Sequence, residues 1–76
     1  MEVRRRVAQN LKRLRKEREL SQEELAFESG LHRTYVSGVE RGIRNPTVVV
    51  LEKIALALDV PSSWLLEEPG GRKRRA

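Results

Sequence analysis

The sequence predicts an all-α domain built from five short helices, and three observations predict it. Apolar residues recur at spacings of three and four along most of the chain, which is the period of a helix with one buried face. A serine followed three residues later by a glutamate marks a helix start, and glycines stand where two helices would end. The chain has 76 residues, so these helices form at most one small domain.

The first two helices have clear start and stop signals. Residues 3–18 form the first helix, because spacings of four, four and three place its apolar residues on one stripe. That stripe consists of Val3, Val7, Leu11 and Leu14. Ser21 can cap the second helix, residues 22–29, and Glu24 completes an S-x-x-E capping box. Gly30 ends this helix, since glycine adopts the left-handed conformation without a Cβ penalty.

Three further helices complete the predicted fold. The third covers residues 33–41 and the fourth covers residues 47–58, with Thr47 as its cap. The three valines at 48–50 have strand propensity, but the helical period of the apolar residues that follow them favours a helix. The fifth is a short segment, residues 62–67, which follows a proline suited to a first helical turn.

The positive charge is unevenly distributed. The chain has a net charge of +5, and residues 70–76 carry four basic side chains, which leaves a net charge of +1 on residues 1–69. Within those, basic residues concentrate in 2–19 and again in 33–44. Such stretches either attract nucleic-acid phosphates or simply solubilise exposed helix faces. We expect one domain over residues 1–69 and a disordered basic tail over residues 70–76.

The composition excludes several classes of function. The absence of cysteine excludes disulfides and thiolate metal sites, and a single histidine gives no metal site. Apolar runs are far shorter than the roughly 18 residues of a membrane span, and no apolar signal-peptide stretch follows the start. No nucleophile–base pair can be assembled, so we expect no enzyme and no cofactor. A cytoplasmic protein without a membrane partner is the expectation.

The segment spanning the second and third helices forms the informative unit. Ala26 is small where the third helix must cross closely, and Gly30 makes the turn. Val36 and Val39 place apolar side chains on the inner side of the third helix. Together these features describe a helix-turn-helix, in which the second helix of the unit enters the DNA major groove.

These residues resemble the phage-repressor (Cro/CI-like, or XRE) helix-turn-helix family. The resemblance covers residues 3–68 and lies in LSQEELAFESGLHRTYVSGVERGIRNPT, followed by LEKIALALDVPSSWLLEE. It implies a compact, lambda-repressor-like five-helix bundle that forms a homodimer on two-fold DNA sites and regulates transcription. The wording HRTYVSGVERG is also similar to the controller proteins of restriction–modification systems.

The outward arc of the third helix carries the candidate base contacts. Successive residues lie 100° apart, which puts Val36 and Val39 on the inner side and short polar residues opposite them. We expect Arg33, Thr34 and Ser37 to contact bases. Arginine bonds guanine O6 and N7, and recognition helices contact base edges near their N-terminal ends. The alternative for Arg33 is a phosphate contact or a surface ion pair.

Gly38 falls on the same outward arc, at roughly 200° from Val36. The resembling family usually has a long polar side chain there, so fewer direct base contacts and a larger role for DNA shape are implied. The alternative is that glycine permits close backbone approach to the DNA. Either way, its cost within a helix of roughly 1 kcal/mol relative to alanine indicates that a side chain would obstruct something.

Six residues are expected to contact the DNA backbone. They are Gln22, His32, Tyr35, Arg41, Arg44 and Asn45. In the family the glutamine that matches Gln22 contacts a phosphate, as a helix N-terminus favours; a solvated helix end is the alternative. Tyr35 either bonds a phosphate or packs its ring against the fourth helix. Ordinary turn chemistry also explains Arg44 and Asn45, and His32 is either a phosphate contact or a plain turn residue.

Glu40 and Trp64 each allow two structural interpretations. Glu40 is an acid on the inner side of the third helix, and a buried charge needs a partner. The family pattern pairs it with Arg15, so we expect an Arg15–Glu40 ion pair, the alternative being a partly exposed glutamate with no fixed partner. Trp64 either packs in the core at the end of the bundle or extends into a dimer contact.

The sequence therefore predicts a homodimeric, sequence-specific regulator that binds double-stranded DNA at a pseudo-palindromic operator. The alternative is an antitoxin-type protein-interaction module whose DNA binding serves autoregulation. The acidic face of the second helix, with Glu23, Glu24 and Glu28, is either a contact for RNA polymerase or a solvated face that suits the helix dipole.

Overall fold

The computed structural model describes residues 2–68 and contains five α-helices. They are α1 (Val3–Glu17), α2 (Gln22–Ser29), α3 (Arg33–Glu40), α4 (Val48–Leu58) and α5 (Ser63–Leu66). No strand occurs within residues 2–68, which confirms the all-α prediction, and the three valines at 48–50 are helical. The predicted domain boundary after residue 69 and the tail at 70–76 lie outside the described residues.

Local capping chemistry fixes the helix ends. The Ser21 side chain accepts from the Glu24 N–H at 3.0 Å, and the Glu24 carboxylate accepts from the Ser21 N–H at 2.8 Å, which completes the expected capping box. Thr47 caps α4 by accepting from a backbone N–H at 3.1 Å. Gly30 ends α2 in the left-handed region with φ 73°. Glu2 caps α1, which the sequence analysis did not predict.

All five helices contribute to one hydrophobic core. Val7, Leu11 and Leu14 of the predicted α1 stripe are buried in it, whereas Val3 at the start of the stripe is 43% exposed. Most of the buried side chains are leucine, valine, isoleucine and alanine. The core consists of Val7, Leu11, Leu14, Leu25, Ala26, Val36, Val39, Leu51, Ile54, Ala55, Leu58 and Leu65. Burial of this set fixes α3 against α1 and α2 and so determines which of its faces remains outside.

A buried amide ties the last helix to the first. The Asn10 Nδ2 group on α1 donates to the carbonyl oxygens of Leu65 at 2.9 Å and Glu67 at 2.7 Å. Because a helix of four residues is unstable alone, these bonds and the buried Leu65 side chain hold α5 in place. Trp64 on α5 is half-buried and packs against the core.

Within residues 2–68, no helix combines the length and the apolar character that crossing a bilayer would require.

Candidate DNA interface

The α2–turn–α3 unit forms as the glycine spacing predicts. After Gly30, the Leu31 N–H donates to the Ala26 carbonyl oxygen at 2.9 Å, which closes the end of α2 and redirects the chain. Ala26 is buried together with Val36 and Val39 of α3. The small side chain at position 26 therefore lies in the packed interface between the two helices, as expected.

The outward face of α3 is polar. Arg33, Thr34 and Arg41 are exposed and Ser37 is half-buried, while the apolar side chains of α3 face the core. His32, which precedes the helix, is exposed and makes no side-chain capping bond. Of the three candidate base contacts, Arg33 and Thr34 are exposed and Ser37 is partly exposed.

Gly38 is not on the solvent-facing arc where the helical projection put it. It is buried, because the side chain of Arg44 lies over it. A Cβ atom added at position 38 would be 2.6 Å from the Arg44 Cγ atom and 3.3 Å from its Nε atom. A side chain at position 38 would therefore obstruct Arg44 of the same protein, in agreement with the expectation that a side chain here would obstruct something.

Arg44 also contacts the aromatic ring of Tyr35. Its guanidinium carbon lies 5.7 Å from the ring centroid, within the range of a cation–π interaction. Tyr35 is half-buried and its ring packs against the core, while Arg44 is exposed. Asn45, which follows in the loop, is exposed as well.

A buried polar network holds the C-terminal end of α3. Arg15 donates to the two carboxylate oxygens of Glu40 at 2.5 and 3.1 Å, and its remaining Nη1 group donates to the Leu20 carbonyl oxygen at 2.6 Å. The Arg15 side chain is 11% exposed and that of Glu40 is 2% exposed. The two residues expected to pair are paired, and the geometry joins α1 and α3 through a two-point, charge-assisted contact.

Gln22 belongs to the same network, which the sequence analysis did not predict. Its Nε2 group donates to Glu40 Oε1 at 3.0 Å, so Glu40 accepts three hydrogen bonds in total. Gln22 is half-buried in the first turn of α2. The sequence offered one indication of this bond. Glu40 was expected on the inner side of α3, and a buried carboxylate has more acceptor sites than a single arginine uses.

Large apolar side chains on the surface form a second feature that sequence reasoning missed. Phe27 on α2 is 87% exposed, and Val49 and Leu56 on α4 are 65% and 71% exposed. Val49 and Leu56 are two helical turns apart and therefore lie on one line along the outward face of α4. Exposed apolar residues aligned in this way mark a contact surface more often than isolated ones do.

The fold and the exposed polar face of α3 define a helix-turn-helix protein, and comparison with known proteins agrees. The helix-turn-helix family model matches residues 11–65, and the chain belongs to that family. It is 48% identical over 60 residues to the HTH-type transcriptional regulator y4dJ of Sinorhizobium fredii, an alignment that covers 79% of this chain and 78% of that protein.

Two solved structures share the fold. The crystal structure of the hypothetical transcription factor NHTF from Neisseria has a TM-score of 0.95 and 41% identity, and the match covers 99% of this chain and 86% of that one. The restriction–modification controller protein C.Esp1396I, solved as a tetramer with its natural 35 base-pair operator, has a TM-score of 0.79 and 38% identity over 86% of each chain.

These similarities confirm the phage-repressor-type helix-turn-helix family and the likeness to controller proteins. The relatives are DNA-binding regulators of transcription and not enzymes, in agreement with the expectation for this chain. Among residues 2–68, no three histidine, aspartate or glutamate side chains are grouped so that they could hold a metal ion.

Proposed function

We propose that this chain is a sequence-specific regulator of transcription that binds double-stranded DNA as a homodimer, with α3 in the major groove of each operator half. One observation carries this proposal: the outward face of α3 is polar and exposed at Arg33, Thr34 and Arg41, while Val36 and Val39 are buried. The major groove is about 12 Å wide and admits one α-helix, and a face of this composition suits base edges and phosphates.

The candidate contacts divide into two classes. Arg33, Thr34 and Ser37 lie on the outward face of α3 and are proposed to contact bases. The proposed phosphate contacts are Gln22, His32, Tyr35, Arg41, Arg44 and Asn45. For Gln22, the bond to Glu40 uses one amide proton, fixes the orientation of the amide group and leaves its second N–H for a phosphate oxygen.

The experiment begins with selection of bound duplexes from a randomised pool, followed by titration of the enriched duplex at several salt concentrations. If Arg41 and Arg44 each neutralise one phosphate in each subunit, the slope of log affinity against log salt is about −3.6 for the dimer. Arg41→Ala should make this slope shallower, whereas Lys12→Ala, a substitution of an exposed lysine on α1 outside the proposed contacts, should not. A wild-type slope shallower than about −3 would contradict the proposed set of phosphate contacts.

The proposed dimer contact is the outward face of α4. Val49 and Leu56 line this face, and Glu52 and Lys53 lie between them, all exposed. A chain of this length buries only about 60% of its unfolded surface, so covering further apolar area in a second copy adds needed stability. The tetrameric state of the related controller protein supports self-association of this kind.

The order of residues on α4 suits a two-fold axis. If two copies of α4 pack antiparallel about the midpoint between Glu52 and Lys53, Val49 of one copy meets Leu56 of the other. The same symmetry brings Glu52 of each copy opposite Lys53 of its partner, which adds two complementary charge pairs. The surface is therefore self-complementary, as an isologous interface must be.

Sedimentation of purified variants tests this surface. Leu56→Glu should shift the chain to monomers, whereas Ile43→Glu, at an exposed apolar residue outside α4, should not. Lys53→Glu should weaken association by opposing two glutamates, and adding Glu52→Lys should restore it by reversing each pair. Unchanged association of the Leu56→Glu variant would refute the α4 interface.

Two further assignments follow as proposals. With double-stranded DNA as the proposed partner, the cytoplasm is the proposed place of action. Glu23, Glu24 and Glu28 are exposed on α2, and a contact between this acidic face and RNA polymerase stays a prediction.

A further inference from the structure

The side chain of Arg44 lies on the surface of α3 in a space that only a glycine at position 38 leaves open. The three non-helix atoms nearest to a Cβ built at Gly38 all belong to Arg44, and the closest is Cγ at 2.6 Å. Cγ is two bonds from the Arg44 Cα, so any side chain at position 38 would force the whole arginine side chain to rotate away. The Arg44 N–H also donates to the Gly38 carbonyl oxygen at 3.3 Å.

Tyr35 contacts the same arginine from a second side. The guanidinium carbon of Arg44 lies 5.7 Å from the centre of the Tyr35 ring. That ring is itself fixed, because it packs against the core. The aliphatic part of Arg44 thus packs on Gly38, and its guanidinium group lies over the Tyr35 ring. These two contacts hold an exposed loop residue against α3.

We propose that Gly38 and Tyr35 are positioning residues that order Arg44 in advance for a contact with the DNA backbone. The inference rests on the proposed function and goes beyond it, because it assigns a role to Gly38, which contacts no DNA in this scheme. An arginine that binds a phosphate loses rotamer freedom, and a side chain that is already ordered loses less on binding. Gly38 supplies the space and Tyr35 supplies the attraction for the guanidinium group.

A double-mutant cycle tests whether Gly38 acts through Arg44. The affinity of the duplex enriched by selection is measured for the wild type, Gly38→Ala, Arg44→Ala and the double variant. Gly38→Ala alone should weaken binding about 3- to 10-fold for each subunit, and so about 10- to 100-fold for the dimer, because one long side chain in each subunit must be ordered on binding. In the Arg44→Ala background the same substitution should have no effect, because the side chain that it displaces is absent.

Two further measurements separate positioning from a structural role. Gly38→Ala should leave the melting temperature unchanged or raise it, since alanine favours a helix more than glycine and Arg44 can rotate into solvent. The salt slope should stay at the wild-type value for Gly38→Ala, because Arg44 still reaches the phosphate at a lower affinity. For Arg44→Ala the slope should become shallower by about 0.9 for each phosphate that the arginine neutralises in the wild type.

The role of Tyr35 is tested in the free protein. Side-chain protons of Arg44 should show an upfield NMR shift from the aromatic ring, and Tyr35→Leu should abolish it. Tyr35→Phe keeps the ring and should keep both the shift and the ordering of Arg44, whatever the hydroxyl group itself contributes to binding. The Gly38→Ala variant should lose the shift while its core resonances remain.

The outcomes separate a failure of the positioning role from a failure of the proposed function. Equal losses from Gly38→Ala with and without Arg44 would refute the positioning role and would mean that the glycine admits the DNA backbone itself. An absent ring shift in the wild type would refute the ordering of Arg44. Failure of the wild type to bind any duplex at low salt would instead refute the proposed function, and this inference with it.

Discussion

Replacing Glu40 by alanine should remove a large part of the stability of this domain. The carboxylate is 2% exposed and accepts three hydrogen bonds, two from Arg15 and one from Gln22. Its loss leaves the guanidinium group of Arg15, 11% exposed, without a counter-ion. Removing one partner of a buried ion pair costs about 3 to 5 kcal/mol. Domains of this size have unfolding free energies of about 4 to 11 kcal/mol, so the substitution should remove between roughly a quarter and all of the stability.

Urea unfolding followed by far-ultraviolet circular dichroism measures this effect, and a second Arg–Glu pair provides a matched control. Arg13 and Glu17 lie 3.5 Å apart on successive turns of α1, and both side chains are exposed. Glu17→Ala should cost only about 0.3 to 0.5 kcal/mol, as is usual for such pairs on a helix surface. If Glu40→Ala cost as little as Glu17→Ala, the network would contribute nothing special and the physical reasoning would be refuted.

Three other substitutions test the site and the fold. Arg33→Ala should relax the preference at one base pair of each half-site by about 1 to 3 kcal/mol, which a scan of single-base operator variants would detect; a uniform loss across all sequences would instead indicate a phosphate contact. Glu19→Gly should raise the unfolding free energy by up to about 1 kcal/mol, because Glu19 is exposed and has a left-handed φ of 58°. Gly30→Ala, at φ 73°, should lower it by at least as much, and a reversed order of melting temperatures would contradict both statements.

The helices could be predicted from sequence because their signals are local. The capping box of Ser21 and Glu24 lies within four residues, and the left-handed glycine at position 30 closes α2 with bonds to the preceding turn. Each of these needs only neighbouring residues, so tertiary packing does not change it. The inward position of Val36 and Val39 followed for the same reason, from the period of a helix alone.

Apart from the Glu2 cap of α1, the features that sequence missed depend on how separate elements pack against each other. The helical projection of Gly38 treated α3 as isolated, and the loop residue Arg44 that buries it comes back over the helix. The acceptor of Gln22 lies 18 residues away, so its choice follows from packing of α2 on α3. The exposure of Phe27 and Leu56 could not be predicted from the neighbouring sequence. Apolar residues at helical spacing form the same sequence pattern whether they lie in a core or on an exposed face.

The anchoring of α3 at both ends has a consequence for how this protein adapts to its target. The Leu31 N–H bond to Ala26 closes the turn that leads into the helix, and the bonds to Glu40 hold its C-terminal end. A helix held at both ends resists tilting and sliding more than a helix held at one end. If the proposed dimer binds as described, misfit falls on the duplex, and easily bent steps between the half-sites should rank operators even where no side chain touches them.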